Sequence, residues 1–177
     1  MVYTMKHKSM FTAREVSEMA IAIALSTVLS FIKVFQMPQG GSITAGSMIP
    51  IIYLALRNRP KVAITGAILY GLVQFMVEPF FVHPIQFLLD YPFAFGALGI
   101  TTLIKKYPSV GASIGIALRF ICHFLSGFIF FGMYAPEGIN PLYYSAIYNG
   151  SYLLPELIVT AIFIYILSKK KLIDVYK

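Results

Sequence analysis

Apolar runs of helical length follow one another along this chain, each cut off by Gly, Pro or charge. They place candidate helices at 13–35, 44–57, 61–77, 84–105, 109–131 and 142–168. A bilayer crossing takes roughly 20 apolar residues, so most of these runs are long enough to span. The second and third are short, which predicts tilting or a pair of helices packed within the bundle. The expected fold is an all-α membrane protein. It is a compact bundle of six transmembrane helices, with residues 1–177 forming a single integral membrane domain.

Composition agrees with that pattern. Of 177 residues, 58% are hydrophobic and only 12% charged, and the mean hydropathy is +0.78. A soluble domain lies far from these values. The net charge of +7 does not indicate nucleic acid, because the basic residues sit at the ends of apolar runs and form no stripe with interleaved aromatics. Lys6, Lys8 and Arg14 precede the first run. Arg57, Arg59 and Lys61 join the second to the third, Lys105 and Lys106 join the fourth to the fifth, and Lys169, Lys170, Lys171 and Lys177 follow the last. The alternate connections MPQGGSIT, EPFFVHP and GMYAPEGINP carry no Lys or Arg. The positive-inside rule then puts both termini in the cytoplasm, which requires an even number of crossings. The basic N-terminal stretch lacks a small-residue cleavage site and reads as leading into a retained helix.

The alternate connections are rich in Gly, Pro and aromatics, a composition suited to lids over a pocket. Ionisable groups inside membrane helices are costly and invite a functional reading. Here they are Asp90, Arg119, His123 and Glu156. Arg119 and His123, four apart, share a helix face, and Tyr144, Tyr148 and Tyr152 form a stripe at the same spacing with Asn149 beside it. Structural readings compete. Tyr143 and Tyr148 suit an interfacial aromatic belt, and Arg119 suits a counter-charge for Asp90 or Glu156. Pro155 should kink the last helix and free a carbonyl near Ser151. The lone Cys122 reads as a small buried hydrophobe. No HExxH, GxSxG or Walker loop is present, and His83, His123, Asp90 and Glu78 follow no metal-ligand spacing, so neither a catalytic residue nor a metal is expected.

The stretches MPQGGSIT, HPIQFLLDYPFAFG, RFICHFLSGFIFF and YAPEGINPLYYSAIYNGS resemble the thiamine-specific S components (the ThiT/YuaJ family) of energy-coupling factor vitamin transporters. The resemblance covers essentially the whole chain. It implies a high-affinity thiamine-binding subunit of an ATP-driven uptake transporter, multi-pass in the cell membrane of a Gram-positive bacterium. Such a subunit is not an enzyme and carries no cofactor. It docks on a shared transmembrane coupling subunit with two ATPase subunits. Ala20 and Ala24 match the small-residue docking face of the family's first helix, and internal packing is the competing reading. Asp90, Tyr91, His123, Phe131, Tyr144 and Asn149 fall on the family's ligand-contacting positions. Some relatives have Glu for Asp90 and a stacking Trp for Phe131, and another aromatic of the first external loop has no counterpart near Gly40 and Gly41. The alternatives are an S component for another vitamin or a thiamine precursor, and a small membrane enzyme.

Overall fold

A computed structural model describes residues 10–173; Lys6, Lys8 and Lys177 of the charge argument lie outside them. Six helical segments are present: α1 (Ala13–Ser30), α2 (Ile49–Arg57), α3 (Pro60–Val77), α4 (Pro84–Ile104), α5 (Pro108–Phe130) and α6 (Pro141–Lys169). Their starts are written in the sequence. A capping box opens α1, where Thr12 Oγ1 accepts from the Glu15 amide and Glu15 accepts in return from the Thr12 amide at 2.8 Å. Each later helix carries Pro in its first turn, where the missing N–H costs nothing.

Between α1 and α2 the chain leaves helix. Helix α1 stops at Ser30, not at 35, and β1 (Lys33–Gln36) pairs antiparallel with β2 (Ser42–Thr44). No Gly or Pro marks that stop, and Phe31 and Ile32 continue the apolar run beyond Ser30, so periodicity alone overextends the helix. Likewise α2 begins at Ile49, not 44, since 44–48 contains Gly46 at φ +87°. With nine residues, α2 is about 14 Å long and reaches only part-way across a bilayer. It lies in the middle of the bundle, with Ile51, Ile52, Leu54, Ala55 and Leu56 buried. The hairpin and the segment 45–48 connect α1 to α2.

One end of the bundle gathers the basic residues. Arg59, at the α2–α3 corner, binds Glu15 of α1 at 2.7 and 3.1 Å and the Met10 carbonyl at 2.9 Å. The Asn58 carbonyl accepts from Thr102 and Lys105 at the end of α4, and Tyr53 donates to the Leu172 carbonyl. Arg14, Arg57, Arg59 and Lys105 thus share one end, as the charge pattern requires. The remaining basic residue near a connection, Lys33, sits at the opposite end in β1. It pairs there with Glu78 after α3, so that end is not free of cations but its cation is neutralised.

Helices α5 and α6 pack through Gly127, where a Cβ would stand 2.4 Å from Ser145 Oγ and 3.0 Å from Asn149 Nδ2. Neither side chain has room to retreat, since both are buried. Gly127→Val should therefore destabilise the bundle by about 1–3 kcal/mol through overpacking. A lower thermal midpoint in detergent checks this, and an unchanged midpoint would show that the two helices are not held this closely.

Candidate binding site

Opposite the basic end, a cavity of about 470 Å³ lies between the hairpin, the residues after α3, and the ends of α4, α5 and α6. It is deeper than the sequence implied, reaching Met48 of the α2 start and Tyr70 and Gln74 of α3. Asp90, Tyr91, His123, Phe131, Tyr144 and Asn149 all line it.

Asp90 is placed by an irregularity of α4. Pro92 has no N–H to donate, and the helix widens into a π turn over Leu89–Phe93 before tightening to 3₁₀ over Ala97–Ile104. The widened turn carries Asp90. Its Oδ2 accepts from Gln86 Nε2 at 2.7 Å and Ser126 Oγ at 2.8 Å, and its Oδ1 lies 2.9 Å from His123 Nδ1. On the far side of the imidazole, Arg119 Nε donates to His123 Nε2 at 3.2 Å. A guanidinium has only donors, so Nε2 must accept and the ring proton sits on Nδ1, facing Asp90. Arg119 therefore meets no carboxylate directly, contrary to its expected role as counter-charge. It orients the histidine and lies over the Phe95 ring at 4.0 Å.

The other predicted residues divide by what they leave available. Tyr91's hydroxyl is taken, donating to the Glu78 carbonyl at 2.8 Å and accepting from the Phe80 amide at 3.0 Å, so only its ring serves the cavity. Asn149 fastens α6 to α5 by donating to the His123 carbonyl; it also donates to the Ser145 carbonyl of its own helix, and its Oδ1 accepts from Tyr152. Phe131 follows the end of α5 and meets Phe80 at 5.5 Å between ring centroids. Tyr144 has a ring contact with Tyr148 at 5.8 Å. His83 is structural, capping α4 through Nδ1 and stacking on Phe130.

Sequence reasoning underrated one set of residues. Tyr148, Tyr152 and Glu156, at spacing four on α6, form the track on which the hairpin lies. Tyr148 is not a belt residue, because its hydroxyl accepts from the Gln39 amide at 3.0 Å and donates to the Gly40 carbonyl at 2.8 Å. Gly41, at φ +77°, passes over the Tyr152 ring so closely that a Cβ would stand 2.7 Å from it. Glu156, only 3% exposed, accepts through Oε1 from the Thr44 hydroxyl at 2.6 Å and from the Thr44 amide. The spacing was visible; its partner strand was not. On α1, Ala20 and Ala24 are exposed and lie off the buried Met19, Ala22, Ser26 and Ser30 face.

Residues 16–175 match the family model described as thiamine transporter protein (Thia_YuaJ). The chain belongs to this thiamine transporter family. Members similar to it include the thiamine transporter ThiT of Bacillus subtilis (strain 168), 37% identical with 85% of this chain and 88% of that protein covered. The ThiT of Lacticaseibacillus paracasei is 28% identical over 68% of this chain and 70% of its own length. A solved structure of ThiT from Listeria monocytogenes superimposes with a TM-score of 0.78 at 28% identity, covering 89% of this chain and 94% of that one. The family is one of membrane transporters, and the six-helix bundle is its fold.

Tyr148→Phe removes both hydrogen bonds to the hairpin tip, each worth about 0.5–1.5 kcal/mol. Hydrogen exchange at the Gln39 and Gly40 amides should accelerate while protection in α5 stays unchanged. Equal protection in both variants would mean that the tip is held by other contacts.

Proposed function

We propose that this chain is the high-affinity thiamine-binding subunit of an ATP-driven vitamin uptake transporter of the energy-coupling factor type. Both termini are cytoplasmic and the cavity faces outward across the cell membrane of a Gram-positive bacterium. The observation that carries the reading is the Asp90 carboxylate, fixed by Gln86, Ser126 and His123 at the wall of a cavity lined by aromatic and polar side chains. Thiamine has a permanently cationic thiazolium, a flat aminopyrimidine that donates and accepts hydrogen bonds, and a hydroxyethyl tail. A carboxylate, stacking rings and a few polar groups form the complement of that chemistry.

Charge supports the match. Of the carboxylates around the cavity, Glu78 is taken by Lys33, whereas Asp90 is held by Gln86, Ser126 and His123 and faces the cavity, which suits a cationic ligand. Phe131, Tyr91 and Tyr144 supply the ring faces, and His123 and Asn149 shape the polar wall. The subunit itself performs no chemistry and carries no cofactor. ATP hydrolysis by two ATPase subunits would drive transport through a coupling subunit docked on the Ala20 and Ala24 face of α1, where small side chains permit close helix approach.

Titration of the purified subunit with thiamine in detergent should show saturable one-to-one binding, and a folded sample that does not bind would remove thiamine as its ligand. Asp90→Asn, which keeps shape and loses charge, should weaken binding roughly tenfold or more, the size of a charge-assisted contact. Unchanged affinity would remove Asp90 from the recognition of the cation. Replacing Ala20 and Ala24 together by Leu should abolish uptake by cells yet leave binding by the isolated subunit intact. If binding is lost as well, the two alanines serve the bundle and not a partner.

A further inference from the structure

The hairpin has two unlike faces. Toward the bundle it presents Gln36, Gln39 and Thr44 to the cavity and to α6. Its outer face is apolar. Phe31 and Ile32 lead into it at 62% and 54% exposure, and Val34 and Phe35 of β1 are 74% and 55% exposed. The ladder slips between Lys33 and Phe35, so β1 has an extra residue at this point, the kind of bulge that re-aims side chains. The one charge in this stretch, Lys33, is turned to Glu78 with its side chain only 19% exposed.

We propose that this outer face is seated in the headgroup region of the bilayer, making the roof of the cavity a lipid-anchored element. Two observations identify lipid as what covers it. The face continues the lipid-facing surfaces on either side, with Val28 of α1 at 59% exposure and Met76, two residues before Glu78, at 79%. In addition, among the described residues β1 pairs with β2 alone, so its other edge presents backbone N–H and C=O groups to no further strand. An open sheet edge is not tolerated in hydrocarbon, where nothing satisfies it. Apolar side chains that prefer lipid and a backbone edge that needs polar partners are both accommodated at one depth, the boundary of headgroups and acyl chains.

The chain has no Trp, so one introduced residue reports alone. Phe35→Trp and Val34→Trp leave the cavity lining untouched. Each is reconstituted as full-length protein in phosphatidylcholine vesicles, with monodispersity and helical circular dichroism as the check on folding. Expected for at least one variant are blue-shifted emission, weak quenching by acrylamide, and strong loss of emission with lipids brominated near the headgroup, weaker with lipids brominated near the chain end. Emission open to acrylamide and insensitive to bromolipid in both variants would overturn the proposal. So would emission shielded from both quenchers and dependent on protein density, which would mean that a second copy covers the face. Stronger quenching from the chain end would place the open edge in hydrocarbon and overturn the argument from depth. None of these readouts involves thiamine, so the result stands apart from the proposed ligand.

Discussion

A polypeptide crossing hydrocarbon has to satisfy its backbone hydrogen bonds internally, and in this bundle that demand falls hardest on the second crossing. Helix α2 supplies only nine residues and is preceded by a hairpin and an irregular segment. Where that non-helical backbone faces the bundle, side chains of α6 take up its amides and carbonyls. Glu156 takes the Thr44 amide, and Tyr148 takes the Gln39 amide and the Gly40 carbonyl. The cavity begins where α2 begins, with Thr44, Ser47 and Met48 in its wall. The short helix, the buried Glu156 and the cavity thus meet at one place in the bundle.

The same economy governs the acidic wall. Asp90 lies within a membrane helix, where an unpaired charge is costly, and three side chains from two helices surround it with donors. Arg119 completes the set at one remove by accepting nothing and therefore dictating which imidazole nitrogen bears the proton. On the proposed reading, the carboxylate is held for a cationic ligand without a permanent cation beside it, and membership of the thiamine transporter family agrees with that reading.

Much of the architecture was legible in the chain. The positions of α3 to α6 follow from apolar runs bounded by Pro and charge, and the gathering of Arg14, Arg57, Arg59 and Lys105 at one end follows from where the basic residues fall. The hairpin was not legible, because Phe31, Ile32, Val34 and Phe35 are as apolar as a helix continuing to 35, and nothing local distinguishes strand from helix in so short a run. Asp90 and His123 stood out because ionisable groups are rare in these helices. Their joint geometry, and the parts of Gln86 and Ser126 in it, depend on tertiary approach and leave no mark on spacing. Glu156 and Tyr148 were noticed as residues and misplaced as roles, since each is explained by a strand that the apolar pattern concealed.

The π turn at Leu89–Phe93 also sets the phase of α4. Each residue of an α-helix advances the side-chain direction by about 100°. Gln86, ahead of the turn, and Asp90, within it, address the cavity; beyond it, Leu98 packs in the core. The two halves of one helix thus answer to different clocks. A chain shortened by one residue within that turn would keep its length, hydropathy and end charges almost unchanged, while no longer presenting its acidic face and its packing face in register. Membrane insertion and ligand recognition are therefore separable properties of α4. Sequences of the same topology can lose the second by a change that leaves no trace in the first.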